Sequence, residues 1–255
     1  RSADDVFDMY ERSVGGNSTF LLNIPPNRNG EFSNEDVEVL NEVGKRIKNT
    51  YNTNLFEKAF GPEKILDEND HTYELIHDNE LIIETNDKVL INRITIKESI
   101  LTHSERVEKF KLQYWKNGIW VDLFFGKNIG YKKILRFPET KSNKFKIIIE
   151  KSRMVPAISV IKAHYYKSEF PMIEFIKTGN KKLEIKPITK KFDWKPHSED
   201  IILNLNPNYE IRYTTDNKEP SKNSKLYTNS IDLDFEVLKA KVFLSDRYSK
   251  TYKFK

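Results

Sequence analysis

Residues 18–30 read Ser-Thr-Phe-Leu-Leu-Asn-Ile-Pro-Pro-Asn-Arg-Asn-Gly, and they decide how the rest of the chain is read. Phe20-Leu21-Leu22-Asn23-Ile24 is a short apolar run that stops at Pro25-Pro26. Proline cannot donate to a ladder, so the run reads as a buried strand that ends abruptly. Asn27-Arg28-Asn29-Gly30 is a turn. Beyond it Ser33 is an N-cap residue with Asp36 three positions on, and Val37, Leu40, Val43 and Ile47 recur at helical spacing. Upstream, Ser2 with Asp5 repeats the cap, and Val6, Met9, Tyr10 and Val14 form one helical face. The chain therefore opens helix, strand, helix. A lone strand buried on both faces belongs to a parallel sheet covered by helices. Since almost everything downstream alternates with period two, the expectation is that the rest of that sheet lies upstream of a cut N-terminus.

The 255 residues suffice for two or three domains. With 38% hydrophobic and 32% charged residues, the balance is polar but globular rather than disordered. The net charge of +5 is spread along strands between acids, with no dense basic block, so it describes a solvated surface and no nucleic-acid partner is expected. There is no cysteine, hence no disulfide frame or thiol chemistry. No apolar run is long enough for a bilayer helix, and no membrane partner is expected.

After a polar hinge at residues 50–54, the pattern turns to strands. Residues 79–85, 90–99 and 110–114 are β-rich, and Asn117-Gly118 reads as a hairpin turn returning through Trp120 and Val121. Residues 134–137 and 145–149 add two more strands. Short strands with turn signals at this spacing suggest an antiparallel sandwich. Residues 209–213 start a second series.

The opening resembles the last strand and helix of the catalytic barrel of glycoside hydrolase family 29 alpha-L-fucosidases. The resemblance rests on Gly16-Asn17, Leu21-Leu22-Asn23-Ile24-Pro25-Pro26, Asn29-Gly30, Glu35-Asp36 and Gly44. The double proline is similar to the branch that prefers alpha-1,3/1,4-linked fucose. Residues 55–167 resemble the discoidin-like (coagulation factor V/VIII C-type) sandwich, through GPEKILDENDHTY, FKLQYWKNGIWVDL, IGYKKILRFP and RMVPAISVI. Residues 168–255 resemble the small sandwich at the C-termini of chitobiases and hexosaminidases, through YEIRYTTDNKEP and the later VLKAKVF, with Asn217 and Ser230 where that pattern has Gly and Pro. The implied architecture is mainly β: an αβα remnant of a (β/α)8 barrel in residues 1–50, then two antiparallel β-sandwich domains.

The resemblance implies a secreted or periplasmic enzyme that releases L-fucose from fucosylated glycans with retention. Retaining glycosidases use two carboxylates about 5–5.5 Å apart. In this family both precede the last barrel strand, so no catalytic residue is expected here. The upstream barrel fragment of the same enzyme is the expected partner. Asp4, Asp5 and Asp8 read as an acidic first turn favoured by the helix dipole. The alternative is a non-catalytic carbohydrate-binding β-sandwich protein whose N-terminal helices are a linker; it has no use for the strand at Phe20–Ile24.

Candidate sugar-binding or interdomain residues are Glu98, His103, Arg106, Tyr131 and Arg153, with Glu105 on the same loop as His103 and Arg106. Trp120 stands where the family buries a core Trp. No cofactor is expected. Sandwiches of this kind can hold a structural calcium, and Asp67, Asp70 and Thr72 occupy the relevant loop, but Val160 replaces the closing carboxylate. The histidines, at 71, 77, 103, 164 and 197, have no zinc spacing.

Overall fold

The structure, a computed structural model, describes residues 1–168, 170–179, 181–188, 209–244 and 246–255. The chain divides into two compact units, one holding Arg1–Lys167 and the other beginning at Ser168.

The first unit opens with α1 (Ala3–Val14) and α2 (Asn34–Tyr51). Ser2 and Asp5 form a reciprocal capping box, and the Ser33 hydroxyl accepts from the Asp36 amide. Both caps are where the sequence puts them. The segment between the helices differs from expectation. Residues 20–24 join no ladder, and Leu21 is 90% exposed. A strand needs a neighbour to bond, and the sheet of this unit is built from other, antiparallel strands. The buried face of α1 is also rotated from the apolar reading: Val6 and Phe7 are buried, together with Asp5, Asp8 and Glu11.

Those acids are not solvated first-turn charges. Arg93 and Arg136 stand directly opposite each other on neighbouring strands. Glu11 receives Arg93 through Nε at 2.7 Å and Nη2 at 3.2 Å, and Arg136 Nη1 at 3.3 Å. Arg136 Nη1 also donates to Asp8 at 2.7 Å. From α2, the Tyr51 hydroxyl donates to Glu11 at 2.6 Å, and Arg46 pairs with Asp4. Two guanidinium groups opposite each other on a ladder would repel; the carboxylates of α1 neutralise them and dock the helix on the sheet. Burial would raise the Glu11 carboxyl, but Arg93 and Arg136 outweigh it and hold it below its ordinary value.

The sheet order is β1-β6-β2-β5-β3-β4, all antiparallel. Its members are β1 (Glu74–Leu75), β2 (Glu80–Glu98), β3 (Val107–Lys116), β4 (Ile119–Gly126), β5 (Lys133–Ser152) and β6 (Ala157–His164). β2 and β5 are long, and their register breaks between Glu84 and Val89. On one side of the break their partners are β3 and β4, on the other β6 and β1. One core joins both halves: Ile83, Phe110, Phe145 and Ile147 from one, Ile94, Ile96, Leu135 and Ile161 from the other. The sheet is thus a sandwich folded at the break. Asn117 (φ 51°) and Gly118 (φ 87°) form the tight β3–β4 hairpin that the sequence predicts. Trp120 is only half-buried, packed edge-on against Trp115 at the hairpin end with Lys146 over its ring, so it is no core residue.

The second unit has a three-stranded sheet, β11-β8-β7, and a five-stranded one containing β10-β9-β12-β13, with β14 also on β12. These are β7 (Met172–Thr178), β8 (Lys182–Ile188), β9 (Glu210–Thr214), β10 (Lys225–Leu226), β11 (Ile231–Asp232), β12 (Leu238–Leu244), β13 (Arg247–Tyr248) and β14 (Tyr252–Phe254). Leu183, Ile185, Ile211, Leu238 and Val242 form its core. Asn217 takes left-handed φ (62°), as its place in the turn requires. No helix among the described residues is long and apolar enough to cross a membrane.

Two titrations separate these contributions. Truncating Glu11 to Ala leaves the buried Arg93 guanidinium without its carboxylate, while Arg136 keeps Asp8, and is expected to cost about 3–5 kcal/mol in urea unfolding. Because Glu11 titrates lower folded than unfolded, its contribution is full above its ordinary pKa of 4.5 and drains as pH falls through the folded value. His164, which bonds the Thr53 carbonyl through Nδ1, is pushed down to about 4 by burial. The unfolded chain takes up that proton first, so stability should fall from pH 6.5 toward 4. His164→Asn should flatten that upper window and leave the lower one, which unfolding midpoints against pH would resolve.

Candidate functional site

The loop end of the sandwich is organised by Glu98, at the C-terminal end of β2. Its carboxylate is 3% exposed and accepts three backbone amides: Arg106 at 2.8 Å, Val107 at 3.0 Å and Gly130 at 2.8 Å. Burial pushes the carboxyl up, against three N–H donors that favour the ionised form. One side chain thus ties the loop after α4 (Ile100–His103) to the loop between β4 and β5. Arg106 spends its guanidinium on carbonyls, Nε to His103 at 2.8 Å and Nη1 to Val155 at 2.6 Å. The Arg153 amide returns to the Arg106 carbonyl at 2.9 Å. His103 bonds Thr102 through Nδ1 and packs on Tyr73 with ring centres 4.2 Å apart.

The loop between β4 and β5 is held from its other side by the chain just past α1. Asn17, in left-handed φ (66°), donates to the Ile129 carbonyl at 3.0 Å and accepts from the Lys132 amide at 2.7 Å. A Cβ on Gly130 would collide with that Asn17 side chain, and one on Gly15 with Ile134. Glycine is needed at both places.

Of the five predicted residues, Glu98, His103 and Arg106 come together, with their polar groups committed to the loops themselves. Tyr131 is 65% exposed beneath Lys97 Nζ, 5.5 Å from its ring centre. Arg153 instead faces a groove of about 690 Å³ between the start of β3 and the ends of β4 and β5. The sequence reading missed Phe125, which is 52% exposed in that groove, and its neighbours Glu108, Asn128 and Lys151. The available signal was the pair Phe124-Phe125: on an alternating strand only one can enter the core.

In the loop considered for calcium, Asp67 accepts from the Thr72 hydroxyl and Asp70 pairs with Lys97 at 2.7 Å. Val160 is buried in β6. Among the described residues no cluster of three His, Cys, Asp or Glu could hold a metal. His197 lies outside the described residues.

Residues 196–253 match the chitobiase/beta-hexosaminidase C-terminal domain. The chain is similar to Alpha-L-fucosidase 1 of Arabidopsis thaliana, with 32% identity over 63% of this chain and 36% of that protein. A putative alpha-L-fucosidase 1 of Oryza sativa subsp. japonica is 28% identical over 62% of this chain and 34% of its own. A Ruminococcus gnavus GH29 fucosidase solved in complex with fucose superposes with a TM-score of 0.60 at 31% identity, over 66% of this chain and 37% of that one. A glycoside hydrolase 29 family member from an unknown rumen bacterium shares the fold across 100% of this chain and 50% of its own (TM-score 0.57, 20% identity). By fold and likeness the chain is similar to a part of known glycoside hydrolases. More narrowly, it resembles the C-terminal region of family 29 alpha-L-fucosidases, and it spans about a third of the length of the curated relatives it matches.

Glu98→Ala should cost about 3 kcal/mol, because it leaves three buried amides without an acceptor. Hydrogen exchange at Arg106, Val107 and Gly130 should accelerate together. Acceleration at one amide alone would mean that the two loops are held independently.

Proposed function

We propose that this chain is the accessory and structural part of a secreted or periplasmic alpha-L-fucosidase. The whole enzyme would remove alpha-1,3/1,4-linked L-fucose from glycans by a retaining mechanism, with both catalytic carboxylates on the part of the barrel that precedes these residues. The observation that carries the reading is the 31% identity and shared fold with a fucosidase solved in complex with fucose. The buried clamp between α1 and the sandwich supports it, since such a clamp fixes a barrel helix against its accessory domain. We assign residues 55–167 to a discoidin-like sandwich and residues 168–255 to a chitobiase-like one. Partners are fucosylated glycans and the upstream barrel; neither nucleic acid nor membrane enters the reading.

The exposed apolar side chains Leu21, Phe32 and Val37 are the surface against which the missing sheet would pack. The 255-residue chain alone should release no nitrophenol from nitrophenyl alpha-L-fucoside. Mixed with an upstream barrel fragment it should restore turnover, and Leu21→Asp should abolish the restoration while leaving the sandwich folded by circular dichroism. Turnover by the chain alone would overturn the reading.

A further inference from the structure

The groove beside the loop end has the makings of a ligand site. Its volume, about 690 Å³, is in the range of small-molecule sites. Phe125 presents an aromatic face at its edge, 52% exposed on β4. Four cationic side chains line it against two carboxylates. Lys109 and Lys151 sit directly opposite each other on β3 and β5, an arrangement that like charges disfavour. Each is neutralised only at the edge, Lys109 by Glu150 at 2.9 Å and Lys151 by Glu108 at 2.7 Å. Glu108 also takes Arg153 through Nε at 2.9 Å. That contact orients the guanidinium and leaves both terminal nitrogens without a protein partner among the described residues, on a side chain that is 70% exposed. A planar pair of donors so held matches a carboxylate or sulfate in bidentate geometry. Asn128, fixed by its bond to Glu105 at 2.9 Å, adds an amide oxygen for hydroxyl groups.

We propose that this groove binds an acidic sugar residue: a pyranose bearing a carboxylate or sulfate, its ring stacked on Phe125 and its anion on Arg153. The choice of a glycan over other anions rests on the fucosidase reading. It is also favoured by the single aromatic platform and the two carboxylates, which suit one anionic ring better than a repeating phosphate backbone.

The test is calorimetric titration of the 255-residue chain with four probes: a glucuronic-acid-terminated disaccharide, a sulfated galactoside, the uncharged galactoside, and inorganic sulfate. A single-stranded RNA oligomer serves as a fifth. At least one acidic sugar should bind about tenfold more tightly than the uncharged one, the worth of a charge-assisted bidentate contact. The carboxylate and sulfate arms then identify the source of the anion. Arg153→Ala and Phe125→Ala should each cost about tenfold with unchanged melting temperature, and Arg153→Lys should recover only part. The proposal fails if neutral and acidic sugars bind alike, if none binds, if inorganic sulfate binds as tightly as the sugar, or if RNA is preferred. The readout is binding, so failure here leaves the hydrolytic reading standing, and absent fucosidase activity leaves this one testable.

Discussion

The structure of the first unit depends on one carboxylate, that of Glu11, shared between Arg93 and Arg136. The two arginines are cross-strand neighbours facing the same helix, and neither could be buried there without an anion. Tyr51 closes the group from α2 through its hydroxyl, and burial pushes that phenol well above its ordinary range. Tyr166 lies under Arg93, 5.3 Å from the guanidinium carbon, and packs against Phe7. A buried ion cluster of this kind is weak evidence for net stability, because desolvation offsets much of the Coulomb gain. Its stronger consequence is geometric. Apolar faces slide past one another at small cost, whereas two guanidinium forks and two carboxylates fit in one register. The position of α1 on the sheet is therefore set by charge, with Val6 and Phe7 filling the remaining area.

From that fixed helix the rest of the loop end follows by short steps. The chain leaves α1 at Gly15, whose carbonyl accepts from the Ile134 amide at 3.2 Å. Two residues on, Asn17 grips the loop between β4 and β5 from one side, and Glu98 holds the same loop from the other through Gly130. Glu98 also holds the amides of Arg106 and Val107, where β3 begins. The wall of the groove is thus built on backbone that the buried Glu98 and the exposed Asn17 have already fixed. An exposed Arg153 can then be oriented by a single carboxylate, Glu108, rather than by a shell of its own.

Much of this was legible in the sequence, and the parts that were not share a cause. Ser2, Asp5, Ser33 and Asn117-Gly118 act through neighbours within a few residues, so their meaning survives in the linear text. The strand at residues 20–24 depends on partners far away in sequence, and its composition alone could not say that no ladder forms within these residues. Asp8 and Glu11 looked like polar positions on a helix flank. Only the topology, which sets Arg93 opposite Arg136 beneath them, turns those positions into a buried clamp. Trp120 was assigned to the core by family likeness, while the hairpin end leaves it half-open beside Trp115. Glu98 and Arg106 were read as sugar-binding or interdomain candidates, and the structure brings them together in one loop cluster. The atoms they were expected to offer outward are engaged with backbone.

Phe125 carries the last step, because its exposure follows from the same alternation that builds the core. Phe124 is 3% exposed, and the next residue on a pleated strand must face the other way. Opposite Phe125 stands Lys111, and one residue pair along β3 stands Lys109 with Lys151 beyond it on β5. The outer face of these three strands thus carries Phe125 beside Lys111 and Lys109, with Asp122 and Glu150 paired to those lysines. Salt links to Glu108 and Glu150 hold the face at its margin. Glu108 is itself held below its ordinary value by Lys151 and Arg153, so it stays ionised and keeps the guanidinium in place across the physiological range. The pairing with Glu108 holds Arg153 towards the groove and so reduces the ordering that the binding of one acidic ring would have to offset.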